Sequence, residues 1–322
     1  MTFARAFAAA LLAVVASAVA GQAQNYPNRN ITAIIPFAAG NANDITARIV
    51  FEQLSKQLGQ AIVIEGRPGA GGTIGVGQAA RAAPDGYTIL FHSATFSASY
   101  VTHKTLPYDT LNDFIAVAPV GISPSVLVAA PSKGYKNAAD LIAAAKAKPG
   151  ELNFASAGIG AASHLAAEKF IAAAGIKAQH IPFKGPVEAL AEVMAGRIDF
   201  YFLPIAAALP QVKEGTVRAL AVSSDKRVAS LPDVPTTVEI GLPGAAYAFW
   251  NGTFVPAKTP RDIVEKLHAE HAKAVAVPAV RERMAKMGIE PLVMSQPEFE
   301  KYFKADVLDT EKLAKTAGIE KQ

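Results

Sequence analysis

Pro36-Phe37-Ala38-Ala39-Gly40-Asn41-Ala42-Asn43-Asp44 follows the β-branched run at 31–36 and leads straight into residues 44–58, where Ile45, Ile49, Leu54 and Leu58 recur at helical spacing. The reading is a strand, a turn of small residues and a helix, with Asn43 or Asp44 suited to the N-cap. A helix N-terminus presents backbone N–H groups that nothing inside the helix satisfies, together with the positive end of the helix dipole, so an anion is stabilised there. Ala38, Ala39 and Gly40 are small enough to let an anion approach the backbone. An ordinary strand-to-helix turn would explain this stretch equally well on its own. A second stretch changes the balance: Phe154-Ala155-Ser156-Ala157-Gly158-Ile159-Gly160-Ala161-Ala162-Ser163-His164 has the same order of strand, small flexible loop, capping Ser163 and helix. Two such termini facing each other would grip one anion between them.

Outward from the first turn, the alternation continues with a strand at 61–65, a helix at 74–83 and a strand at 87–92, which is α/β patterning with parallel strands. Residues 114–130 read as two apolar runs, 115–120 and 125–130, interrupted by a break at 121–124, and so as a segment crossing between lobes. A second α/β series follows: helix 138–148, strand 152–155, helix 163–174, strand 179–182, helix 186–195 and strand 199–202. Strand 217–223 carries the chain back. Pro232, Pro235 and Pro243 then mark a loop-rich passage over the first lobe, and helices at 261–275, 279–287 and 297–315 finish the chain. The division is a leader at 1–23, a first lobe at 24–124 plus 224–322, and a second lobe at 125–223.

The leader assignment rests on Arg5 ahead of the apolar run 6–20, with small residues at Ala18, Ala20 and Ala23, so that cleavage after Ala20 or Ala23 fits an exported protein. That run is about fifteen residues, shorter than the roughly 20 that span a hydrocarbon core. About 300 residues then remain, more than one hydrophobic core usually organises. The formal charge of +4 falls to +3 with Arg5 removed, and the basic residues are scattered among acids without aromatic interleaving, which argues against a nucleic-acid partner. With no cysteine there is no disulfide framework, thiolate metal site or cysteine nucleophile.

Other chemistries fit poorly. In 69–77, Gly69 and Gly71 are followed by Ile74 where a dinucleotide loop needs its third glycine. His268, Glu270 and His271 share a helix without a third well-placed metal ligand, while His92, His103 and His180 are isolated in sequence. A serine hydrolase is the competing class, but there is no Gly-x-Ser-x-Gly elbow. Ser163 and His164 are adjacent and so point about 100° apart on a helix. Ser156 with His164 remains an open pairing, though no acid is marked as its third member.

An ordered set of motifs resembles the Bug family, the solute receptors of tripartite tricarboxylate transporter systems. They include Tyr26-Pro27, Pro36-Phe37 with Gly40 and Asn43-Asp44-Ile45, Leu58-Gly59-Gln60, Arg67-Pro68-Gly69-Ala70-Gly71-Gly72, Ala83-Pro84-Asp85-Gly86-Tyr87-Thr88, Leu106-Pro107-Tyr108-Asp109, Ser163-His164-Leu165-Ala166, Phe183-Lys184-Gly185 and Leu231-Pro232-Asp233-Val234-Pro235-Thr236. The resemblance implies a two-lobed periplasmic binding protein of the type II-like, Venus-flytrap kind, with crossover strands between lobes. It also implies a carboxylate held largely by backbone amides and water, a location in the periplasm, a membrane permease as partner, and neither cofactor nor catalysis. The chain is expected to act as a monomer.

The implied ligand residues are Phe37, Ala39, Asn41, Asn43 and Asp44 from one lobe and Ala157, Gly158, Ser163 and His164 from the other, with Ser93 and Thr95 past the third strand. Two departures from the family pattern stand out. Asn41 with Ala42 replaces a frequent Gly-Gly, and Phe202-Leu203-Pro204 replaces a frequent Phe-Asp-Asn. Losing that acid and gaining an aromatic and apolar surface, with Phe202 as the candidate contact, favours an uncharged ligand body, such as an aromatic ring with one or two carboxylates. An aliphatic di- or tricarboxylate or an acidic amino acid is the alternative, and Tyr201, Phe202 and Leu203 as plain buried strand residues is the bland one.

Overall fold

The computed structural model describes residues 26–319 and 321, so the leader expected at 1–23 lies outside the described residues. The elements run β1 (Ile31–Ile35), α1 (Ala42–Leu58), β2 (Ile62–Gly66), α2 (Thr73–Ala80), β3 (Thr88–Ser93), α3 (Thr95–Thr102) and β4 (Phe114–Ala129). Then come α4 (Ala138–Ala147), β5 (Asn153–Ser156), α5 (Ala162–Ala174), β6 (Gln179–Pro182), α6 (Pro186–Met194), β7 (Phe200–Pro204), α7 (Ile205–Lys213) and β8 (Arg218–Val222). The chain ends with β9 (Ala248–Pro256), α8 (Arg261–Ala276), α9 (Pro278–Lys286), β10 (Glu290–Pro291) and α10 (Gln296–Thr316).

Strands line up in the order β2-β1-β3-β9-β4-β7-β5-β6, with β8 and β10 also pairing with β4. The expected parallel pairing holds for β1 with β2 and β3 and for β5 with β6 and β7, but β9 and β4 run antiparallel to their neighbours. In β1, Ile31, Ala33 and Ile35 pack with Val50, Phe51 and Leu54 of α1 and Leu267 of α8, while Ile34 joins the cluster containing Val76 and Ala79 of α2. Burial on both faces is why this strand is apolar at every position but Thr32 instead of alternating.

The break expected at 121–124 is absent. β4 is one strand of 16 residues that pairs with β9 over 114–124 and with β7 and β8 beyond it. Its breaker residues have local reasons. The register shifts around Pro119, where a bulge tolerates the missing N–H. A Cβ at Gly121 would lie 2.6 Å from the Ile289 Cγ2 methyl. A second correction concerns the passage at 224–247, expected over the first lobe. It packs on the second, since Val228, Leu231 and Val234 join the cluster of Val126 and Leu203, and a Val222–Thr236 bridge ties it to β8. The first lobe resumes only at β9. Helix α10 packs on α3, β4 and α5, and so reaches elements of both lobes.

The His268–Glu270–His271 group resolves into packing. The buried His271 ring uses both nitrogens, at 2.9 Å from Thr253 Oγ1 and 2.8 Å from Leu267 O, while His268 Nδ1 sits 2.9 Å from Val117 O. Among the described residues no group of three or more His, Asp and Glu side chains is placed to hold a metal ion, and no helix is long and apolar enough to cross a membrane. Burial lowers the His271 pKa to about 4 and that of the fully buried His92 to about 3.

Both folded-state values lie below the ordinary 6.5, so the unfolded chain takes up protons that the folded chain refuses. The contribution is complete above about pH 6.5 and is lost as pH falls toward 4, at about 1.4 kcal/mol per pH unit for each such histidine. Denaturant unfolding between pH 7 and pH 5 should therefore show falling stability, with a shallower slope in His271→Gln. A pH-independent stability over that range would contradict the assignment.

Candidate ligand-binding cleft

The C-terminal ends of β1 and β3 in one lobe meet those of β5 and β7 in the other, where ligands of open α/β sheets bind. A cavity of about 500 Å³ lies there, lined from the first lobe by Phe37, Asn41, Asn43 and Thr95 and from the second by Ala157, Gly158, Ser163 and Tyr201.

In the first lobe the N-cap is Asn41, two residues before Asn43 and three before Asp44, the caps expected from the sequence. Its Oδ1 accepts from the Asn43 and Asp44 amides at 2.8 and 3.2 Å, and its Nδ2 donates to Ala38 O. Asp44 is spent on structure. It accepts from Gly40 N at 2.9 Å and pairs with Arg48 at 3.0 Å; burial opposes its ionisation, but Arg48 and the Gly40 amide hold its pKa below the usual value. Asn43 donates to Ser93 Oγ at 3.3 Å and accepts from Asn251 Nδ2 at 2.6 Å. Ser93 is thus buried behind the wall, and Ala39 is exposed outside it; neither they nor Asp44 line the cavity. Phe37 does, braced edge-on by His92 at 5.4 Å.

In the second lobe, the N-cap of α5 is Ala161, which offers no side-chain cap, so the first-turn amides of Ala162 and Ser163 at the cavity wall have no such partner. The expected cap, Ser163, instead accepts from Ala157 N at 3.0 Å. His164 Nδ1 accepts from Gly160 N at 3.1 Å and Ser156 Oγ from Gly158 N at 3.1 Å, so three side chains fix the loop from behind. His164 is buried, stacked on His180 at 3.8 Å, and does not line the cavity. Ser156 pairs with His180 at 2.6 Å rather than with His164, but its hydroxyl is buried, also bonds Gly158 O, and no carboxylate bonds His180 among the described residues. Burial and the neighbouring His164 lower the His180 pKa to about 3, which leaves a poor general base.

The packing of β7 decides the aromatic departure. Phe200 and Phe202 point into the core with Phe170, and Tyr201 and Leu203 into the other core; Phe202 and Leu203 do not reach the cleft. Tyr201 and Pro204 do. Burial pushes the Tyr201 phenol pKa up to about 12, partly offset by the Ser163 hydroxyl. Sequence reasoning also missed Ser99, Thr102 and His103, because α3 itself was not expected, together with Phe183, Lys184 and Phe249. Of these, Phe183 and Lys184 lie in a motif that the family resemblance had already singled out. His103 and Lys184 are the basic residues of the lining, and no Asp or Glu lines it among the described residues.

At the cleft the lobes come close at Gly160: a Cβ there would collide with the Thr102 methyl from the first lobe, and Gly160 also has φ +73°. The backbone strain of Gly160→Ala would be present in open and closed forms alike and should lower the unfolding temperature. The collision would exist only when the lobes meet, and overpacking of that kind should weaken ligand binding about fivefold to a hundredfold. Thr102→Ala in the same chain should restore part of the affinity and none of the thermal loss. Unchanged affinity in Gly160→Ala would show that ligand binding does not need this approach of the lobes.

Residues 46–319 match the family described as the tripartite tricarboxylate transporter family receptor. BugT of Bordetella pertussis is 35% identical over 286 residues, 88% of this chain and 87% of its own. Among solved structures, Rpa4515 of R. palustris with adipate is 31% identical with a TM-score of 0.85, covering 92% of this chain and 100% of that one. MatC (Rpa3494) of Rhodopseudomonas palustris with bound malate is 31% identical with a TM-score of 0.78, covering 89% and 99%. With this span of similarity and a two-lobed fold to match, the chain belongs to the Bug receptors of the tripartite tricarboxylate transporter family, which are solute-binding proteins and not enzymes.

Proposed function

We propose that this receptor captures an organic carboxylate whose body carries no positive charge, with an aromatic mono- or dicarboxylate as the favoured class. The observation that carries this reading is the charge of the lining: Lys184 and His103 without any Asp or Glu among the described residues. An amino acid would bring an ammonium group with no carboxylate to meet it, and an unpaired buried charge is strongly disfavoured. Phe37, Phe183, Phe249 and Tyr201 supply aromatic walls for a ring. The relatives with adipate and malate support a second reading, an aliphatic dicarboxylate, which satisfies the same charge rule.

The uncapped start of α5 and the turn before α1 are the proposed anion contacts, with Phe37, Asn41, Asn43, Thr95, Ala157, Gly158 and Ser163 as the residues around the ligand. A ligand touching both lobes binds the closed form better than the open one and shifts the population toward it. The leader at 1–23 would deliver the protein to the periplasm, where the closed monomer would be presented to a membrane permease.

A thermal-shift and calorimetry panel of benzoate, terephthalate, adipate, malate, aspartate and glutamate tests this. Acids without an ammonium group should stabilise the protein, by about 2.7 kcal/mol at a hundredfold excess over Kd, with the ring acids tightest. Tight binding of aspartate or glutamate, with none of the others, would overturn the reading.

A further inference from the structure

A second cavity, of about 430 Å³, shares no lining residue with the cleft. Its walls come from the segment after β8, Lys169 of α5, the residues just before β9, Glu290 of β10 and one face of α10. Four carboxylates line it, Asp225, Glu290, Asp306 and Asp309, against two lysines, Lys169 and Lys226. Asp306 is half-buried, and its Oδ2 accepts from Trp250 Nε1 at 3.0 Å. Burial raises its pKa, against the hydrogen bonds from Ser97 and Trp250 and the charge of Lys169. Lys169 does not pair with it, because its Nζ donates to Ala246 O at 3.0 Å.

Tyr247 adds a hydroxyl with nothing to bond. The residue is 6% exposed, and its carbonyl accepts from the Ser223 hydroxyl at 3.0 Å, which fixes its backbone. Burial and then the neighbouring Asp306 and Tyr302 push its phenol pKa well up, with no hydrogen bond to offset them. Both neighbours line the cavity as Tyr247 does, so the hydroxyl lies at that wall. Buried hydroxyls are nearly always satisfied, and one left over beside a carboxylate at a cavity wall points to a partner from outside the chain.

We propose that this cavity is a second ligand site, for a small organic ammonium ion, separate from the carboxylate cleft. An ammonium group brings a positive charge and N–H donors that need acceptors. The Asp306 carboxylate meets the charge, and Tyr247 Oη accepts a further N–H. Lys169 Nζ takes one side of the Tyr247 ring, 5.7 Å from its centroid, which leaves Tyr302 as the aromatic wall that favours a cation. Val228 and Leu313 cover the apolar body. A metal ion fits poorly, since among the described residues no group of three or more His, Asp and Glu side chains is placed to hold one.

Benzylamine and putrescine are the probes, with benzyl alcohol as the neutral counterpart. Calorimetry on the whole protein should show saturable one-to-one binding of at least one amine, with benzyl alcohol at least about tenfold weaker than benzylamine if benzylamine binds. Asp306→Asn keeps an acceptor for Trp250 and removes the charge, and should weaken the amine about ten- to a hundredfold. In the wild type labelled with tyrosine 13Cζ, the resonance that Tyr247→Phe removes should shift on saturation with the amine. That readout decides the matter even if Asp306→Asn is unstable. No saturable binding of either amine, benzyl alcohol binding as tightly as benzylamine, unchanged affinity in a folded Asp306→Asn, or an unmoved Tyr247 resonance in the saturated wild type would each overturn the proposal.

Discussion

The backbone ladder along β4 is the constraint on which the rest of the molecule depends. One unbroken strand is hydrogen-bonded to β9 in the first lobe and to β7 and β8 in the second, so neither half of the sheet can be placed without the other. Where it passes between lobes, Ser223 ties three segments together: its amide donates to Ser125 O at 2.8 Å, its hydroxyl to Tyr247 O at 3.0 Å, and the Ser125 amide donates to that hydroxyl at 3.0 Å. These bonds hold the crossing segments in register. They also fix which strand ends face each other across the cleft.

At the cleft, side chains and backbone divide the work. Asn41, Asp44, Ser93 and His164 are polar and near the ligand space, but their hydrogen bonds go to the chain itself and hold two turns in shape. What the turns then offer is mostly backbone N–H, on walls that carry aromatic rings and little charge. Such a site would favour anions broadly and leave selectivity to its few side chains. That is why the absence of acidic residues from the lining, among the described residues, bears more on the proposed ligand class than the turns do.

Much of this was legible in the sequence. Helices α8 and α10 fall within a residue or two of the apolar periodicity, and both strand-to-helix turns at the cleft follow from strand-turn-helix patterning. The misses have physical causes. Helix α3 is rich in serine, threonine and aromatics with weak helix propensity, and tertiary packing on α10 holds it. Helix α7 contains Pro210, and β9 contains the turn-prone pair Asn251-Gly252, where glycine is needed because Phe299 presses on the strand. Composition reveals an aromatic run at 200–202 but not how β7 packs, and it is Tyr201, with Pro204 at the strand's end, that lines the cavity while Phe202 enters the core.

The central claim is that one carboxylate is held between the two turns at once. Hydrogen–deuterium exchange resolved to single amides, with and without saturating benzoate or adipate, tests it most directly. Amides at 38–44 and at 157–163 should slow together in the complex, while the helices behind them keep their rates. Protection confined to one turn, or absent from both in a protein shown to be saturated, would contradict a ligand bridging the lobes.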